Sequence, residues 1–115
     1  MQERRQYIRL QVPVLVEFPN PLTMKTERSY TLDISETGIR FPTAVRLAVS
    51  QQVALTLQLP FQNGTFHVSG EVSWIREIAR MGATQYEVGV RFRWMEEADL
   101  ARLGRFLQNF LSSSL

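Results

Sequence analysis

Most of this 115-residue chain alternates apolar and polar residues with period two, and only its last stretch repeats at three and four. A period of two sends successive side chains to opposite faces of a strand, so such a chain folds as half-buried β-structure and not as a helical bundle. Leu10, Val12, Val14, Val16 and Phe18 share one face of a first strand, with Gln11, Pro13 and Glu17 on the other. Pro13 and Pro19 mark an edge strand or a strand end, since proline cannot donate to a ladder. From Ser29 to Ile34 the alternation predicts Tyr30, Leu32 and Ile34 inward and Thr31, Asp33 and Ser35 outward. A turn at Ser35-Glu36-Thr37-Gly38, with a positive φ expected at Gly38, returns the chain as Ile39-Arg40-Phe41.

Val53, Leu55, Leu57 and Leu59 line a further strand, and Asn63-Gly64 signals a hairpin into a strand at residues 65–75. There Phe66, Val68, Gly70, Val72 and Trp74 share the inward face, with His67 opposite. After a predicted loop at residues 77–84, the strand at residues 85–94 places Tyr86, Val88, Val90, Phe92 and Trp94 inward and Glu87, Gly89, Arg91 and Arg93 outward. Full alternation on each strand implies one shared interior. The expected fold is therefore mainly β, a small six-stranded antiparallel barrel of split or Greek-key-like form. Glu96, Glu97 and Asp99 then supply the negative charge that favours a helix start. Leu100, Leu103, Phe106, Leu107, Phe110 and Leu111 give a C-terminal amphipathic helix over about residues 96–111, a lid on the barrel in preference to a dimerisation helix.

Length and composition narrow the chemistry. One domain of this size buries a core without staples, and the chain has no cysteine, which excludes disulfides, thiolate metal sites and a cysteine nucleophile. Its single histidine, His67, excludes a two-histidine metal site and has no orienting partner in sequence for base catalysis, so no enzyme and no cofactor are expected. No apolar run approaches the roughly 18 residues of a membrane span, and the charged start MQERRQYIRL leads into no signal-peptide core. The expected location is the cytoplasm or the cytoplasmic face of a membrane. Of the 13 basic residues only Lys25 is a lysine. Arginine presents a planar fork of donors that fits phosphates and guanine edges, where lysine presents a hydrated point charge.

Two constellations carry chemistry. Arg4, Arg5 and Arg9 fall within six residues just before the first strand, with only Glu3 beside them for neutralisation. Unpaired arginines on a terminal arm make an anion clamp, each able to fork onto phosphate oxygens or the O6/N7 edge of guanine. Tyr7 can stack on a base or anchor the arm. The second constellation is Asp33, Ser35 and Gly38. Asp33 and Ser35, two apart on an extended strand, point the same way, and Gly38 leaves backbone open to a flat ligand. A carboxylate accepts the N1–H and N2–H₂ donors of guanine, and the serine hydroxyl serves either role. Arg40 and Arg91 are candidates for additional phosphate contacts, while Trp74 and Trp94 read as core.

RRxxxR at Arg4, Arg5 and Arg9, followed by DxSxxG at Asp33, Ser35 and Gly38, resembles the PilZ domain, a bacterial receptor module for cyclic di-GMP. The resemblance spans nearly the whole chain through EVSWIRE around Trp74, EVGVRF at residues 87–92 and the helix after an acidic turn. It implies that residues 1–9 form a flexible ligand-binding arm and residues 10–115 a barrel with its C-terminal helix. It implies further that Arg5 and Arg9 grip phosphates and guanines, and that Asp33, Ser35 and Gly38 hold a guanine on the barrel. Arg4 implies binding of a stacked pair of ligands. The downstream partner would be a protein or a fused domain, in motility, attachment or exopolysaccharide production, and monomer and homodimer both remain open. Two alternatives stand beside this reading: an interaction adaptor that binds no nucleotide, and a nucleic-acid-binding small barrel. The second is disfavoured because the expected outer strand faces lack aromatic platforms.

Overall fold

The computed structural model describes residues 9–60 and 64–113. Seven strands and one helix follow in order: β1 (Leu15–Pro19), β2 (Thr26–Tyr30), β3 (Asp33–Ile34), β4 (Gly38–Thr43), β5 (Gln52–Gln58), β6 (Phe66–Arg80), β7 (Ala83–Met95) and α1 (Glu97–Ser113). The strands form one antiparallel sheet in the order β2-β1-β5-β6-β7-β4-β3. The fold is mainly β and barrel-like, as the alternation predicts. The seventh strand is the two-residue β3, and the sheet is not closed by a continuous ladder. The expected arm at residues 1–9, apart from Arg9, lies outside the described residues, as does Asn63.

The inner face gathers a single core. Val12, Val14, Val16 and Phe18 from the first segment meet Val53, Leu55, Leu57 and Leu59 from β5 and its end, and Phe66, Val68 and Val72 from β6, all buried. Phe18 and Phe41 pack with ring centroids 5.6 Å apart, tilted. α1 lays Leu103, Phe106 and Leu107 against this core and leaves Leu100 partly exposed, so it serves as the lid the spacing predicts. Arg102 caps the Phe66 ring, its guanidinium carbon 4.3 Å from the centroid. Among the described residues no helix is long and apolar enough to cross a membrane.

The first strand corrects one expectation. Regular pairing starts at Leu15, after Pro13, and β1 is an interior strand flanked by β2 and β5. Leu10 instead pairs with Ile34 in an isolated bridge, exchanging N–H to C=O bonds of 2.8 and 2.9 Å. Between Ser29 and Ser35 the predicted inward face holds only at Ile34, which is buried in the core. Tyr30 and Leu32 are exposed, while Thr31, Asp33 and Ser35 are buried. The chain here is two strands and a link, not one strand: β2 and β3 occupy opposite ends of the sheet, and only Thr31 and Leu32 lie between them. Crossing that gap resets the alternation. The Thr31 hydroxyl accepts from Val14 N at 2.9 Å and donates to Val12 O at 2.8 Å, satisfying backbone that the proline-interrupted segment leaves without a ladder.

β6 and β7 are longer than predicted and displace both tryptophans. The expected loop at residues 77–84 is strand almost throughout, closed by a two-residue turn in which Met81 (φ 52°) and Gly82 (φ 81°) both take positive φ. That is the turn whose twist matches a hairpin. Within the ladder, Ser73 and Arg93 are each an extra residue, and a one-residue slip turns every following side chain to the other face. Trp74 therefore pairs with Gly89, and Trp94 with Ser69, on the outer face. Trp74 is 39% and Trp94 60% exposed, and Ile75 and Met95 pack inward in their stead.

Gly38 earns its place by packing. Its φ is not positive, contrary to expectation. A Cβ at Gly38 would instead run into the backbone carbonyl oxygen of Val90 and come within 3.3 Å of Arg91 Cα on β7. Gly38→Ala is expected to lower stability by about 1–3 kcal/mol through this overpacking, read as a reduced urea midpoint at constant m. Thr31→Val, which leaves Val14 N and Val12 O without their partner, is expected to cost about 1–3 kcal/mol in the same measurement.

Candidate functional site

The β3–β4 turn builds itself from its own polar groups. Ser35 N–H donates to Gly38 O at 2.9 Å, and Thr37 N–H donates to Ser35 Oγ at 3.1 Å. The Ser35 and Thr37 hydroxyls lie 3.0 Å apart. Ser35 is fully buried, so its hydroxyl shapes the turn and does not stand on the surface beside Asp33 as predicted. Thr37 O accepts from Phe92 N at 2.8 Å, which fastens the turn to β7.

Strand register then assembles a surface from distant parts of the sequence. Residues paired across antiparallel strands share a face, so Asp33, Arg40, Gly89 and Trp74 form one row across β3, β4, β7 and β6. Gly38, Arg91 and Glu71 form the row on one side of it, and Pro42, Glu87 and Arg76 the row on the other. Gly89 lacks the Cβ that would collide with the Trp74 indole, so the ring packs directly against β7 there. The result is a groove of about 190 Å³ lined by Arg9, Gly38, Arg40, Trp74, Gly89 and Arg91 among others. Arginine forks and a partly exposed aromatic ring suit a planar, anionic ligand.

An ionic chain runs along the floor of this face. Arg9 Nη1 donates to Asp33 Oδ1 at 2.6 Å, and Arg40 Nε donates to Asp33 Oδ2 at 2.9 Å. Arg40 Nη1 reaches Glu87 Oε1 at 3.2 Å, and Arg76 Nη2 reaches the same oxygen at 2.8 Å. Asp33 is only 5% exposed, because the two arginines cover it, although its place in the row is on the outer face as predicted. Burial works to lower the Arg40 pKa, but hydrogen bonds and Coulomb attraction from Asp33 and Glu87 outweigh it and leave the guanidinium above its ordinary value. Glu71 stands 3.5 Å from Arg93 and 4.0 Å from Arg91.

Of the residues singled out in sequence, the structure brings together Arg9, Asp33, Gly38, Arg40 and Arg91, with Ser35 beneath them. Arg4, Arg5 and Tyr7 lie outside the described residues. Arg9 does not fit the expectation of unpaired arginines, since its carboxylate arrives from 24 residues away. Sequence reading missed Trp74 in the groove and Glu87 beneath it. The signal for Trp74 was Gly89, a residue without a side chain at an outward position of a strand.

A model of the PilZ domain matches residues 3–109. No curated protein sequence matches the chain. Among solved structures, the chain superposes with a TM-score of 0.79 and 16% identity on the Bacillus subtilis inhibitor of motility MotI/DgrA, covering 97% of this chain and 53% of that one. It superposes equally, at 0.79 and 16%, on a Klebsiella MrkH–c-di-GMP complex, covering 98% of this chain and 55% of that one. The chain thus spans about half the length of these two relatives. Against the PilZ domain of Escherichia coli YcgR with c-di-GMP, the TM-score is 0.69 at 19% identity, covering 97% and 95% of the two chains. At these identities the likeness is one of fold. The family model, spanning residues 3–109 of 115, settles the membership: the chain belongs to the PilZ domain family.

Proposed function

We propose that this chain is a receptor module for cyclic di-GMP, which it binds without transforming. The observation that carries the reading is the row of Asp33, Arg40, Gly89 and Trp74, with Arg9 on Asp33. Guanidinium forks for phosphates and an indole for a base face meet within one groove, and the Asp33 carboxylate, an acceptor for guanine donors, lies directly behind two of its arginines, Arg9 and Arg40. Relatives of the same fold, MrkH and the YcgR PilZ domain, form complexes with c-di-GMP. Trp74 acts as the stacking platform and Asp33 as the acceptor for the guanine edge, Gly38 keeps β4 close beneath them, and Arg91 adds a phosphate contact. Ser35 contributes by holding the turn.

Residues 1–9 serve as the arm that closes over the nucleotide, with Arg4, Arg5 and Arg9 on its phosphates and Tyr7 alongside, and residues 10–115 form the barrel that receives it. Arg4 before the RxxxR core supports a stacked pair of ligands. The closed arm presents a new surface to a partner protein or a fused domain, in the cytoplasm, and so regulates motility, attachment or exopolysaccharide production. The likeness to an inhibitor of motility supports the first of these. A second reading, single-stranded nucleic acid on the outer face, gains support from the outward turn of Trp74 and Trp94, which supplies the aromatic platforms that the sequence reading found missing.

Calorimetric titration separates the readings. Cyclic di-GMP is expected to bind saturably, with a stoichiometry near two per chain, while GTP and a short single-stranded DNA give no comparable heat. Binding of DNA with steep salt dependence and no response to cyclic di-GMP would establish the second reading. In Arg9→Ala the affinity for cyclic di-GMP is expected to fall at least about tenfold with the fold retained, as for loss of a charge-assisted contact; undiminished affinity would remove Arg9 from the site.

A further inference from the structure

Both oxygens of Asp33 are engaged within the protein itself, Oδ1 by Arg9 and Oδ2 by Arg40. A guanine edge presenting N1–H and N2–H₂ needs those same oxygens in one plane. The neighbouring charges decide how readily they come free. Arg40 is held at two points, through Nε by Asp33 and through Nη1 by Glu87. Glu87 sits opposite Arg76 on β6 and Pro42 on β4, nearly buried and outside the groove lining. Its Oε1 is shared between Arg40 and Arg76.

We propose that Glu87 is a positioning residue for nucleotide binding: it draws Arg40 off Asp33 and so frees the carboxylate for the base, while Arg76 opposes it by competing for Glu87. This rests on the cyclic di-GMP reading above. In this arrangement the four groups form a linear competition, Asp33 and Glu87 contending for Arg40, and Arg40 and Arg76 contending for Glu87 Oε1. Removing the Glu87 charge leaves Arg40 to Asp33 alone and closes the acceptor. Removing the Arg76 charge gives Glu87 wholly to Arg40 and opens it. Through-space attraction alone has the opposite signs, because losing an anion near a dianionic ligand favours binding and losing a cation opposes it. That effect is screened over a Debye length of about 8 Å at physiological salt.

The test compares wild type, Glu87→Gln and Arg76→Gln by calorimetry with cyclic di-GMP at about 150 mM salt. Glu87→Gln is expected to bind about tenfold more weakly and Arg76→Gln about threefold more tightly. Equal or tighter binding by Glu87→Gln overturns the proposal, and so does equal or weaker binding by Arg76→Gln. The Arg76 side chain is mostly exposed, so its variant keeps the test open should Glu87→Gln fail to fold. A wild type that binds no cyclic di-GMP removes the parent reading. The positioning itself is then still read without ligand: the Arg40 Nε–H, followed by NMR, exchanges with water more slowly in Glu87→Gln than in wild type if Asp33 has taken it over. Unchanged or faster exchange overturns the proposal.

Discussion

A link of two residues, Thr31 and Leu32, joins the outermost strands of the sheet, and the rest of the structure follows from it. β2 and β3 are consecutive in sequence yet stand at opposite ends of the strand order. From Tyr30 at the end of β2 to Asp33 at the start of β3 the chain takes three Cα steps and spans at most about 11 Å, so the seven strands between and including these ends must curl until the ends come close. The Ser29 hydroxyl donates to Pro42 O on β4, and Leu32 N–H donates to Arg40 O at 2.6 Å, both across the seam. The curl encloses the core, and the link delivers Asp33 to the outer surface beside β4. The same two residues bring the ends of the open sheet together and place the carboxylate.

The seam also explains how so much charge sits so close to the core. Asp33 and Glu87 are almost wholly covered, and a covered carboxylate is tolerated only when paired and hydrogen-bonded. Arg40 serves both, and Arg9 and Arg76 complete the chain at either end. Every member of this chain except Arg9 lies on a paired strand, so the ladder sets the spacing of the charges. Arg9 alone is delivered by the segment before β1, which is itself held to β3 by the Leu10–Ile34 bridge.

The parts of the fold legible in sequence are those where periodicity runs unbroken. β5 and the first half of β6 alternate cleanly to Val72, and the apolar spacing of α1 identifies both the helix and its buried face. The hairpin turn at Ser35–Gly38 was legible from its residues, though the glycine is needed for contact with β7 and not for its φ. What escaped was everything set by non-local geometry. An extra residue at Ser73 and another at Arg93 invert the faces beyond them, and neither carries a local signature. The Met81-Gly82 turn hides behind a methionine, a residue with no preference for positive φ. The Arg40–Glu87 pair joins positions 47 apart, so only the strand order makes them neighbours. The motif residues Asp33, Ser35 and Gly38 fall together around one turn, but only the packing discloses that Ser35 is buried in it, that Gly38 is needed for contact with β7 and that Asp33 is covered by two arginines.

The two bulges leave the molecule with an unplanned optical property. Both of its tryptophans are turned out of the core, one lying in the groove over Gly89 and the other at the far end of the same ladder beside Ser69. The indoles therefore sample solvent at two separate stations of one sheet face. Their emission is one summed signal, to which Trp94 adds a background remote from the groove, so a change on covering the groove is carried by Trp74 and is absent from a Trp74→Phe variant.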